Sequence, residues 1–264
     1  MPPTTIGRTI GHGALAGTVA GATSAAGLYW LVEPSIRNAV ALEEAVSDAD
    51  HTHTEGHAHE AAALVSRDQQ VMFGLITVLL VGILIGIAFA LLHRLLGSRL
   101  SRGSAVGSVM LAGLGFLSFT LVPAIVLPAN PPGVGDPDTV NLRTLTYLGT
   151  IAASVALTVI VIVVARAKNL SSGSRVAAAT AVGILGTVAL VWAIPNVSPP
   201  VPARVPAELI WDFRIGSLAQ LGLMWLVLGA GFAYLLQLSD ARATRTREGA
   251  GGPRRVMNSA LVQR

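Results

Sequence analysis

The 264-residue chain is 52% hydrophobic and only 12% charged, with a formal net charge of +4. Soluble domains carry about twice that charged share. With no cysteine, disulfides, thiolate zinc sites, iron–sulfur clusters and cysteine nucleophiles are excluded. The positive balance does not point to nucleic acid, because most basic residues flank long apolar runs, where they act as orientation signals for membrane insertion.

Six stretches reach the roughly 20 apolar residues that a helix needs to cross a bilayer. In chain order they are 6–32, 71–95, 104–127, 144–165, 176–194 and 215–238. The expected fold is therefore all-α, a polytopic transmembrane bundle forming one membrane domain over residues 1–264. The first stretch is rich in Ala, Gly and Thr, and Arg8 precedes it. It could instead be a cleaved signal segment, leaving five spans. Gly13, Gly17 and Gly21 recur every four residues on it, and Gly82 and Gly86 repeat the interval on the second. Such spacing lets helix backbones approach closely in lipid.

After the first stretch comes a His- and acid-rich loop, residues 33–70. Four of the six histidines lie between His51 and His59. His51, His53, His57 and His59 offer imidazoles, with Glu55 and Glu60 as oxygen donors, a set suited to Co²⁺, Ni²⁺ or Zn²⁺. Glu43, Glu44, Asp48 and Asp50 would concentrate cations nearby. A polar loop that is His-rich without purpose is the plain alternative. Soft sulfur donors for Cu(I) are lacking, since Met72, Met110 and Met224 are scattered one per span and read as packing residues.

The remaining loops sort by charge. The N-terminus, the turns after the second and fourth spans, and the basic tail 239–264, read as disordered, hold 13 of the 18 basic residues and two acids, Asp240 and Glu248. The other loops hold five arginines and 12 acids. The positive-inside rule then puts both termini in the cytoplasm and the histidine loop outside. Each odd span is expected to end at a proline (Pro34, Pro123 to Pro128, Pro195), and an arginine (Arg67, Arg143, Arg214) precedes each even one. This pattern reads either as a repeated hairpin or as ordinary helix stops and interfacial anchors.

Polar candidates for an ion path are few. His12 and His93 lie near the cytoplasmic ends of their spans. Glu33, Asn130, Asp136, Asp138, Asn196, Glu208 and Asp212 lie at the outer mouth, and no charge sits clearly at mid-bilayer. Lys168 is followed by Asn169, which excludes a Walker A loop. With no HExxH helix and no serine elbow, a non-enzyme is expected.

Taken together, Leu31-Val32-Glu33-Pro34, the His-rich loop ending at Val65-Ser66-Arg67-Asp68-Gln69, Leu127-Pro128-Ala129-Asn130-Pro131-Pro132-Gly133 before Arg143-Thr144, Trp192-Ala193-Ile194-Pro195, and Val205-Pro206-Ala207-Glu208 before Phe213-Arg214 give the chain a family likeness. It resembles the CbtA family of bacterial cobalt transporter subunits. The resemblance implies an inner-membrane protein for Co²⁺ uptake linked to cobalamin synthesis, with a small single-span His-bearing partner, CbtB. No tightly bound cofactor is expected. Ni²⁺ or Zn²⁺ as the ion, and a metal-sensing or scaffold subunit that moves none, remain the alternatives.

Overall fold

The computed structural model describes residues 5–51, 65–100, 104–134, 137–194, 197 and 201–251. Among them the elements are α1 (Ile6–Gly27), a π-helical turn (Leu28–Val32), α2 (Glu33–His51), α3 (Arg67–Leu100), α4 (Ser104–Phe116), a second π-helical turn (Leu117–Leu121), α5 (Val122–Val126), a 3₁₀ turn (Pro137–Thr139), α6 (Val140–Ala165), α7 (Ser172–Ala193) and α8 (Ala207–Gly251). Six helices are long and apolar enough to cross a membrane. Leu84, Leu148, Ile160, Ile184, Leu185 and Leu226 point outward from the bundle. Lipid satisfies such a surface, whereas a protein in water rarely exposes apolar patches of this extent.

Lipid supplies no hydrophobic drive for helix association, so small residues and buried polar contacts must hold the bundle. The α1–α3 contact is built on this principle. A Cβ added at Gly17 would lie 2.6 Å from the Gly82 carbonyl oxygen, and one at Gly21 2.8 Å from that of Leu79. A Cβ at Gly86 would collide with Gly13 and Gly17. The two backbones touch, as the four-residue glycine spacing anticipates.

Helix α8 is the second organiser. Its 45 residues span about 68 Å at 1.5 Å per residue, more than twice the hydrocarbon thickness. Met224, Trp225, Leu228 and Phe232 on α8 form the core with Ala16 and Ala20 of α1, Phe89 and Ala90 of α3, and Leu111 and Ala112 of α4. Phe232 meets Phe89 edge-on at 5.6 Å, a favoured aromatic arrangement. Helices α6 and α7 pair with each other, and their span windows are the least buried of the six.

The structure corrects one expected stop. Pro34 does not end its helix, and Pro123 lies inside a span that closes at Val126, within the expected Pro123 to Pro128 stop. Each follows a π-helical turn by two residues, and the same i+5 bond closes both turns: Glu33 N–H to Leu28 O, and Val122 N–H to Leu117 O. Proline has no N–H and crowds the carbonyl four residues back. The wider turn re-pairs the ladder and lets the helix run on. Pro195 lies outside the described residues, but Ile194 before it is extended and closes α7, as a residue preceding proline prefers.

Residues 33–51 are likewise helix α2 rather than loop, and 67–70 open α3. Asn38-Ala-Val-Ala-Leu-Glu-Glu-Ala-Val46 is a run of good helix formers. Residues 239–251 of the expected disordered tail continue α8, with Thr244 and Thr246 hydroxyls bonding back to the Asp240 and Arg242 carbonyls.

Replacing Gly17 or Gly82 by valine is expected to cost about 1–3 kcal/mol through overpacking and to lower the midpoint of thermal unfolding in detergent. Alanine at Gly74 or Gly149, where an added Cβ meets nothing within 4 Å, is expected to leave that midpoint unchanged or raise it.

Candidate metal-collecting face

At the end of the bundle carrying α2, segments that are distant in sequence pack into one layer. Helix α2 lies against the first turns of α8 and the 131–134 turn. Ala39, Pro131, Val134, Leu209 and Ile210 are buried there. Gly133 has φ +75°, and a Cβ on it would sit 2.6 Å from Glu43 Oε2. The left-handed backbone favours glycine there, whereas the Glu43 carboxylate, at the end of a flexible side chain, could move aside.

Arginines stitch the layer. Glu33, 6% exposed, receives the Arg67 guanidinium on both oxygens at 2.8 and 2.9 Å and Arg37 Nε at 3.0 Å. The α2 carboxylate is thus shared by two cations and is not free to hold metal. Arg214 of α8 donates to the Ala129 carbonyl at 3.0 Å and to Asn130 Oδ1 at 2.8 Å. Two of the three arginines expected before even spans are therefore cross-links to other segments.

His51 is the last residue of α2. His53, Glu55, His57, His59 and Glu60 lie outside the described residues, as do Asp136 and Asn196. The described residues contain no group of three or more His, Asp or Glu placed to hold an ion. Glu208 and Asp212, one turn apart on α8, line an open cleft with Ser35 and Asn38 of α2.

Glu33 apart, the buried polar side chains among the described residues are Ser, Thr, Gln and His. Gln220 of α8 donates to Ser24 of α1 at 3.0 Å, and Trp225 Nε1 to Thr120 in the second π turn at 3.1 Å. Ser108 donates to the Gly229 carbonyl at 3.0 Å, and Ser118 meets Thr158 at 2.7 Å. These pairs tie α1, α4, the second π turn and α6 into the bundle through atoms that sequence inspection did not single out. Their only signal was a hydroxyl or amide inside an apolar run. His93 packs edge-on to Phe232 at 5.2 Å, and His12 Nε2 lies 3.3 Å from Ser239 Oγ. Neither histidine belongs to a cluster of ligands.

A family model described as "Probable cobalt transporter subunit (CbtA)" matches residues 6–237. The chain belongs to that family. Its match runs from the first glycine-spaced helix to the core of α8 and overlaps all six candidate spans. No curated protein and no solved structure matches the chain. Membership and six apolar helices together make this a multi-pass membrane protein of a family described as probable cobalt transporter subunits.

Replacing Glu33 by glutamine strands two guanidiniums, one of them partly buried, and is expected to cost about 2 kcal/mol. Arg37→Ala, at a side chain 53% exposed, is expected to cost less than about 1 kcal/mol. Thermal unfolding of the two variants in detergent checks the ranking.

Proposed function

We propose that this chain takes up divalent cobalt across the inner membrane, with the α2 end facing outward and both termini in the cytoplasm. Membership of the cobalt transporter family carries the reading. The charge asymmetry of the loops supports the orientation, since Lys and Arg concentrate on the cytoplasmic side of membrane proteins.

In this reading His51, His53, His57 and His59, assisted by Glu55 and Glu60, collect the ion and release it toward the bundle. Their attachment supports the role, because α2 is a helix that begins in the membrane domain and ends at the first of these histidines. A rigid stalk holds the start of the cluster close to the bundle and raises the local ion concentration there. Capture has to be transient, because conduction needs binding weak enough to release. A small single-span subunit bearing histidine completes the transporter and would receive or relay the ion beside this chain.

Replacing the four histidines together by alanine is expected to reduce radiolabelled cobalt uptake several-fold when the metal is limiting. At saturating metal, uptake should approach that of the parent. Equal uptake by parent and variant at limiting cobalt would remove the collecting role. Competition by Ni²⁺ and Zn²⁺ in the same assay ranks the ions, which imidazole and carboxylate donors separate poorly.

A further inference from the structure

The α6–α7 hairpin joins the rest of the bundle chiefly through α5 and the second π turn. Toward the side of the chain termini it leaves an open groove against α4, about 500 Å³ in volume. Leu114, Leu117, Leu157, Val161, Ala179 and Ile184 line it. Three hydroxyls in its wall are already satisfied. Ser154 donates to the Thr150 carbonyl at 2.7 Å, Thr187 to the Gly183 carbonyl at 2.8 Å, and Thr158 shares a hydrogen bond with Ser118 at 2.7 Å. The lining therefore suits an apolar occupant. Along α7 it runs from Ala179 to Val188, about 14 Å at 1.5 Å per residue. That is close to half of the roughly 30 Å hydrocarbon core, the depth of one leaflet.

The mouth of the groove is basic. Arg166 and Lys168 stand in the turn between α6 and α7, and Arg175 lies at the start of α7. Arg175, Ala179 and Gly183 follow one another at four-residue intervals, so the arginine stands on the helix face that walls the groove. No acid occurs between Asp138 and Glu208, so nothing on the hairpin itself neutralises these three charges. None of the three side chains makes an ion pair or hydrogen bond with a described residue. Basic residues beside spans are common on one side of membrane proteins. Here they cap an apolar groove one leaflet deep, and a ligand that fits both parts carries a negative headgroup and a hydrocarbon chain. Basic pockets between transmembrane helices hold anionic lipid headgroups in this way.

We propose that this groove binds an anionic phospholipid from the leaflet on the side of the chain termini. One acyl chain lies between α4 and the α6–α7 hairpin, and the phosphate sits among Arg166, Lys168 and Arg175. The lipid supplies contacts that the hairpin lacks. The span windows of α6 and α7 are only 11% and 6% buried, against 22–39% for the other four. A bound lipid therefore steadies the hairpin against the bundle. The site is independent of the cargo and goes beyond the transport reading.

The test is thermal unfolding of the full chain in a neutral detergent, titrated with phosphatidylglycerol or with phosphatidylcholine of the same acyl chains. Phosphatidylglycerol is expected to raise the midpoint saturably, because a ligand of the folded state stabilises it. Phosphatidylcholine is expected to raise it much less. Replacing Arg166, Lys168 and Arg175 by glutamine is expected to move half-saturation to higher lipid, about fivefold for each charge lost. Thr180→Trp, which places an indole in the groove, is expected to weaken lipid binding several-fold. Arg242→Gln with Arg245→Gln, on α8 at the same side, is expected to leave it unchanged. Glycerol phosphate, the headgroup chemistry without the chain, is expected to give no shift. Equal effects of the two lipids, unchanged half-saturation in the triple variant, or an equal loss in the α8 variant overturns the proposal. A full shift from glycerol phosphate, or undiminished binding in Thr180→Trp, overturns it too, because either leaves the groove without a role. Lipid-free midpoints that match the parent show that the variants are folded, and the comparison of lipids on the parent chain decides even where one is not.

Discussion

The backbone contact between α1 and α3 is the constraint from which the α2 end follows. Lipid tails are as apolar as leucine, so two helices stay together only where they fit better with each other than with lipid. Gly13, Gly17 and Gly21 against Gly82 and Gly86 provide that fit. Once α1 and α3 are in register, Glu33 at the end of the first span meets Arg67 at the start of the second. That pair, with Arg37, fixes where α2 leaves the bundle. The direction of α2 then creates the cleft against α8 and sets where the histidine cluster begins.

The π-helical turns show how the same bundle tolerates proline. Both occur in spans that pack on α8, and each places its proline two residues after the turn. Around them sit the buried polar pairs Ser24–Gln220 and Thr120–Trp225. Buried polar groups in lipid are costly unless paired, and here they are paired across helices. Uncharged pairs of this kind fix the helices without placing a charge at mid-membrane, in keeping with a chain whose charged groups lie toward the ends of its spans.

Much of the architecture was legible in the sequence because its cause is local. Span length, apolar content and the glycine interval are each readable within one segment, and all six helices and the α1–α3 contact follow from them. What escaped depends on partners far along the chain. Gln220 meets Ser24 across 196 residues, and no periodicity announces such a pair. Pro34 read as a stop because the i+4 ladder cannot accommodate it, while a single i+5 turn can. Residues 33–51 read as loop because their charge outweighed a run of alanine, leucine and glutamate that favours helix. At the candidate site, the histidines were evident from composition. The cleft was not, since Ser35 and Asn38 become neighbours of Glu208 and Asp212 only when α2 folds over α8.

The central claim is that this subunit moves cobalt, and entry of radiolabelled Co²⁺ into liposomes tests it most directly, with the purified chain alone and with the proposed small single-span partner. The account predicts saturable entry in at least one preparation, competed by an excess of Ni²⁺ or Zn²⁺. No entry above protein-free liposomes in either preparation would contradict it and leave the histidines as a binding site of a subunit that senses or scaffolds.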